Sequence, residues 1–180
     1  ENRIVSLCQP WIRPIVRGKT NATVEFGAKV SISMVDGYAQ IEKLSWNAYN
    51  ESTTLIESVE RYREEKGYYP ARILGDKIYR TRDNLNYCSR KQISMNGPKL
   101  GRPPKVKAIY REQCLQEKTE AGERNAVESK FGEGKRTYGL NRIYAKRQDT
   151  SEASIYLVFL VMNLEKRLRV FLYSILKSWK

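Results

Sequence analysis

Apolar and polar residues alternate well over residues 24–35. Val24, Phe26, Ala28, Val30, Ile32 and Met34 share one side, and Glu25, Lys29, Ser31 and Ser33 the other. That period of two predicts a half-buried strand. Asp36-Gly37 then reads as a two-residue hairpin turn, with residues 38–46 returning as the partner strand. The period next changes. Thr54 with Glu57 three residues later predicts a capped helix, Leu55, Val59 and Tyr62 form its apolar stripe, and Gly67 stops it. Residues 71–75 form a short strand ending at Asp76, 81–91 a short helix and 92–95 another short strand. The segment PKLGRPP at 98–104 breaks regular structure, and 105–131 is rich in helix formers with a weak point at Gly122. Thr150 or Ser151 is placed to cap a last helix. Its apolar positions Leu157, Leu160, Val161, Leu164, Leu168, Phe171, Leu172 and Ile175 recur at helical spacing. Upstream of the alternating strand, Pro10 and Pro14 make residues 4–19 an extended arm. This order of elements is what remains of a mixed sheet flanked by helices once its leading strand is removed.

Composition narrows the chemistry. The 180 residues carry a net charge of +13 and no histidine. The excess charge repels itself in a compact chain, so a polyanion such as DNA is the natural partner. Without histidine, Ser-His-Asp and Cys-His catalysis and His-ligated zinc are excluded. Cys8, Cys88 and Cys114 are odd in number and widely spaced, which fits packing in a reducing cytosol better than a disulfide framework or a zinc site. The most apolar stretch, 155–164, is too short to span a bilayer, so no membrane partner is expected. The chain opens with Glu1 and no signal peptide, and the expectation is that it is a piece of something longer.

Two carboxylates are the candidate chemistry. Asp76 closes a strand, and Glu128 sits on a helix with Arg124 one turn before it and Lys135 two turns after. Mg²⁺ takes few protein carboxylates and leaves its other positions to water and phosphate, so such a pair suits holding the ion against a phosphodiester. Each residue also has a plainer role. Asp76 suits a turn or cap, and Arg124 has Glu120 and Glu128 four residues either side as helix-surface partners. Asp36 is explained by hairpin chemistry alone. Lys99, Arg102, Lys105, Lys107 and Arg111 make an acid-free basic segment, and residues 130–147 add six basic residues against one Glu. Both read as a cationic strip that positions phosphate or as solvated surface. Trp11, Trp46, Tyr49, Tyr68, Tyr69 and Tyr79 are better suited to packing than to stacking on a base.

The runs RIVSLCQPWIRPIVRGK, VEFGAKVSISMVDGYAQIEKLSWNAYNES, ILGDKIYRTRDN, GPKLGRPPK, ERNAVESKFGEGKRTYGLNRI and SEASIYLVFLVMNLEKRL resemble, in order, the C-terminal half of bacterial insertion-sequence transposases of the DDE type. The resemblance implies an α/β, ribonuclease-H-like fold and metal-dependent DNA cleavage and strand transfer at transposon ends. It implies that three carboxylates hold two Mg²⁺ ions, with Mn²⁺ as a substitute, and it matches Asp76 and Glu128 to the second and third. The family's first Asp lies upstream of RIVSLCQP, so the expectation is a fragment without its first strand, inactive in isolation. Arg124, Glu128 and Lys135 keep the spacing of the family's Tyr, Arg, Glu, Lys signature, but Ala121 holds the Tyr position.

The expected organisation is an arm over 1–21, a sheet core over 22–97, a basic loop over 98–111 and a helical part over 112–180. The candidate DNA contacts are Arg80, Arg82, Arg102, Lys105, Arg124, Lys130, Lys135 and Arg136. The implied setting is the bacterial cytoplasm at the nucleoid, as a homodimer. Two alternatives stay open: a DNA-binding or assembly module without chemistry, and a structure-specific nuclease of the same fold.

Overall fold

The computed structural model describes residues 7, 9–19, 22–97 and 107–178. The candidate contacts Arg102 and Lys105 lie outside them. The mixed α/β class is observed. The described residues, however, form three separate two-stranded pairs where one mixed sheet was expected. They divide into two compact units, residues 1–49 with 129–180, and residues 50–128.

In the first unit, β1 (Pro14–Lys19) pairs antiparallel with β2 (Ala22–Phe26), so part of the expected arm is a strand. The alternating segment is not one strand. Gly27, at a φ of 152° that other residues rarely adopt, breaks it, and β3 (Lys29–Val35) starts afresh. β3 pairs with β4 (Tyr38–Ser45) through the expected hairpin, where Asp36 and Gly37 both have positive φ, 53° and 75°. That is the backbone a type I′ turn requires.

The last helix of the chain, Gln148–Ser178, packs on β4. Ile155 and Phe159 join Ile12, Ala39 and Trp46 in the core, with Phe131, Leu140 and Ile143 against them. Asn163 reproduces a strand partner at the edge of β4, donating to the Ala39 carbonyl at 2.7 Å and accepting from the Ala39 amide at 2.9 Å. Neither Thr150 nor Ser151 caps this helix as expected. Both lie inside its first turn, where their hydroxyls donate back to the Arg147 carbonyl. The larger departure concerns the apolar stripe. The buried side chains are Ser151, Ile155, Phe159 and Met162, while all eight positions named from the sequence face outward. Even so, no described helix is long and apolar enough to cross a membrane.

The second unit begins with a 3₁₀ turn, Glu51–Thr54, capped by the Asn50 side chain. It leads into α1 (Leu55–Lys66), which ends at Gly67 with φ 81°. The 3₁₀ turn explains why Thr54 does not form the expected capping box. Its backbone is already helical, and its hydroxyl donates to the Glu51 carbonyl. β5 (Arg72–Ile73) and β6 (Ser94–Met95) pair in parallel across α2 (Arg82–Arg90), whose N-cap Thr81 accepts from the Asn84 amide. Leu55, Val59, Tyr87, Cys88 and Ile93 form this unit's core. Next in the chain is α3 (Lys107–Thr137), which continues unbroken through Gly122 and runs from this unit into residues assigned to the first; the last helix is α4.

A polar cluster ties α1 to α2. Glu60 accepts from the Tyr87 hydroxyl at 2.6 Å and from the Tyr69 hydroxyl, with Lys91 4.0 Å away. These contacts, the Tyr87 bond first, hold the Glu60 carboxyl below its ordinary value of 4.5. Burial and the same bond push the Tyr87 phenol above its ordinary 10. A lowered carboxylate contributes stability above its unfolded pKa and loses it as pH falls, whereas a raised phenol loses its contribution as pH rises past 10. The cluster's contribution is therefore expected to be steady between about pH 5 and 9 and to fall on either side. Tyr87→Phe is expected to lower the urea midpoint at neutral pH and to flatten its decline below pH 5, measured against the parent by urea unfolding across pH.

Candidate active site

Parallel pairing of β5 with β6 sets the position of Asp76. At the end of β5 the chain leaves the pair, and the Gly75 amide donates to the Asn96 side chain at 2.9 Å. The Asn96 amide in turn donates to the Ile73 carbonyl. Asn96 thus holds the loop just before Asp76 from two sides. Immediately after it, residues Lys77–Tyr79 form a 3₁₀ turn, and Asp76 caps that turn by accepting from the Lys77 amide at 2.6 Å. Asn84, which is buried, donates to the carbonyls of Tyr79 and Ser52 and fixes the far side of the turn. The cap and turn role anticipated for Asp76 is real, yet it engages one carboxylate oxygen and leaves the side chain largely exposed.

On α3, Glu120 and Arg124 lie one turn apart on the side of the helix turned inward, Glu120 buried and Arg124 half-buried. The Arg124 guanidinium stands 3.7 Å from the Asp76 carboxylate. At that distance it is an ion contact, not a hydrogen bond. One residue earlier, Glu123 pairs with Arg72 of β5. Glu128 follows Arg124 by four residues, which on an α-helix is about 6 Å further along the axis on the same side. Its carboxylate is exposed and has no hydrogen-bond or ion-pair partner among the described residues. The two acids singled out in the sequence are thereby linked through one arginine that contacts the first and neighbours the second.

The donor set suits a hard divalent cation: carboxylate oxygens only, one of them unengaged, with room around both for water. Among the described residues no cluster of three His, Cys, Asp or Glu side chains is placed to hold a metal. Asp36, the tempting third acid, sits at the tip of the β3–β4 hairpin, where Lys166 donates to its carbonyl.

The candidate phosphate contacts sort by what already engages them. Arg82, Lys135 and Arg136 are exposed, and no hydrogen bond or ion pair engages them among the described residues. Arg80 is half-buried and donates to the Asn96 carbonyl, which commits it to shaping the Asp76 loop. Lys130 is nearly buried and paired with Glu133 at 3.0 Å. Lys130 is thus already ion-paired, whereas Arg80 has one donor committed to that loop. Three residues important to the geometry, Asn84, Asn96 and Arg72, were not singled out in the sequence. Their roles follow from the parallel pairing of β5 with β6 and from helix docking, which no local pattern announces.

Comparison with known proteins gives a family and no site residues. No curated protein and no solved structure matches the chain. A sequence model described as the transposase DDE domain matches residues 73–165, a span that opens three residues before Asp76 and contains Glu128. The match covers just over half of the 180 residues, and the chain therefore belongs to the transposase DDE-domain family.

Proposed function

We propose that this chain supplies two metal-holding carboxylates, Asp76 and Glu128, to a DNA transposase with a ribonuclease-H-like catalytic core. The reaction would be cleavage at a transposon end followed by strand transfer, in the cytoplasm at the nucleoid and as a homodimer. The observation that carries this reading is the Arg124 contact to Asp76 one helical turn before Glu128. It links two acids 52 positions apart in sequence within one compact unit. A bound Mg²⁺ would activate water and polarise the phosphodiester. Asp76 and Glu128 would hold it, and Asn96 and the Lys77–Tyr79 turn would keep Asp76 in place. Arg124 neutralises Asp76 while no cation is present, and a phosphate oxygen offers its guanidinium a bidentate alternative. Lys135 and Arg136, further along the same helix, suit contacts that position the DNA backbone without reading sequence. The third acid of the set is not assigned to a residue of this chain. Loss of one ligand from a shared site should leave cleavage weak and DNA binding intact.

Metal binding tests the pair directly. Asp76→Ala or Glu128→Ala is expected to weaken Mg²⁺ binding by at least about 10-fold, measured by calorimetry, with the circular dichroism spectrum unchanged. Unchanged Mg²⁺ affinity in both variants would remove the assignment. Labelled DNA with and without Mg²⁺ then separates the readings: the expected result is binding with little cleavage, and metal-dependent cleavage that Asp36→Ala abolishes would make Asp36 the missing ligand.

Salt dependence tests the cations. Lys135→Ala is expected to weaken binding equally for unrelated DNA sequences and to reduce the slope of log affinity against log salt by about 1. Lys130→Ala is expected to leave that slope unchanged, because its charge is already paired with Glu133.

A further inference from the structure

The outward side of α4 carries a seven-residue repeat. Leu157, Val161, Leu164, Leu168, Phe171 and Ile175 follow one another at spacings of four, three, four, three and four. All six are exposed, between 37% and 59%. The side chains that anchor α4 to its own unit, Ile155, Phe159 and Met162, lie on the opposite side of the helix. The stripe is therefore not an extension of the core. A strict 3.5-residue period matches a second helix wound along the first and has no reason to persist against a sheet or an irregular surface.

We propose that this stripe is an interface with a second copy of the chain, formed by two α4 helices in parallel and in register. Three features select that occupant. With Val161, Leu168 and Ile175 at the a positions and Leu157, Leu164 and Phe171 at d, two of three a residues are β-branched and two of three d residues are leucine. That distribution favours two parallel strands. The flanking charges select the direction. In parallel register Arg167 faces the copy's Leu172, and Glu165 faces the copy's Leu160, so no like charges meet. Antiparallel register would set Arg167 against Arg167 and Glu165 against Glu165. Glu165 is moreover satisfied within its own chain, by the Tyr138 hydroxyl and by Arg169 at 2.8 Å. The area is also sufficient: with Leu160 and Leu172 at the flanks, eight half-exposed side chains remove roughly 600–800 Å² per copy from water, close to the ~800 Å² of a standard interface.

The inference rests on the homodimer of the proposed function and names its surface, and it is separable from the metal site, because neither Asp76 nor Glu128 enters it. Its test is the mass of the 180-residue chain by sedimentation equilibrium at moderate salt, where repulsion between two +13 chains is screened. The expected mass is twice 21.0 kDa. Leu164→Glu is expected to raise the dissociation constant at least about 30-fold, whereas Tyr173→Glu, exposed but off the stripe, leaves it unchanged. Ile175→Cys is expected to give a 175–175 disulfide between copies on oxidation, identified by peptide mapping. A monomeric parent chain would overturn the proposal, and hydrogen-exchange protection of the stripe in that monomer would name an intrachain cover as the occupant. A dimer indifferent to Leu164→Glu, or one that fails to give the 175–175 linkage, would overturn it equally.

Discussion

The candidate site depends on how α3 lies against the end of β5. Two ion pairs from consecutive helix residues make that contact, Glu123 with Arg72 and Arg124 with Asp76. All four side chains are at least partly exposed, and such pairs are each worth only about 0–1 kcal/mol. The position of Glu128 relative to Asp76 is therefore set by weak, screened interactions, while Asp76 itself is held firmly by a 3₁₀ turn and by Asn96. This asymmetry suits a site completed by its ligands. Cation and phosphate together offer both acids and Arg124 stronger partners than the resting contacts provide, so binding can set the final spacing without dismantling a core.

Charge ties the site to its surroundings. A chain at +13 gains by placing its few unengaged carboxylates where a cation and a polyanion meet, and Glu128 is such a carboxylate. Two of the candidate basic residues also have partners within the chain. Lys130 is spent on Glu133, and Arg80 on a backbone carbonyl beside the Asp76 loop. What remains displayed on the second half of α3 is Lys135 and Arg136. The apolar stripe of α4 is a separate matter, since its repeat follows a helical partner and not a phosphate backbone.

Local signals in the sequence match the structure where one short-range interaction decides the outcome. The Asp36-Gly37 turn, the Gly67 stop, the short helix that follows Asp76 and the strand that delivers Asp76 all formed as expected. Failures arose where distant contacts or single residues override periodicity. Alternation continued across Gly27, but the backbone there takes a conformation that ends the strand. Thr54 had the right spacing for a capping box, yet the preceding 3₁₀ turn claimed its backbone. The apolar stripe of α4 has the right period for a helix, but period alone does not say which side packs. Ile155 and Phe159 won that role through packing in the core that includes Ala39 of β4, and Met162 is buried on the same side of the helix. The candidate acids were suggested by their places at a strand end and on a helix, and it was the family resemblance that gave them a metal-holding role. The residues that hold them, Asn84 and Asn96, were not, because their partners are separated by up to 32 positions.

The central claim is that Asp76 and Glu128 share one cation. Mn²⁺ titrated into isotopically labelled chain tests it most directly, since a paramagnetic ion broadens nuclear resonances according to their distance from it. The account predicts that the amides around Asp76 and Lys77 and those around Glu128 broaden together, at the same low Mn²⁺ concentration, and that Asp76→Ala removes the effect at both places. Broadening at only one of the two, or centred on the Asp36 hairpin, would contradict it.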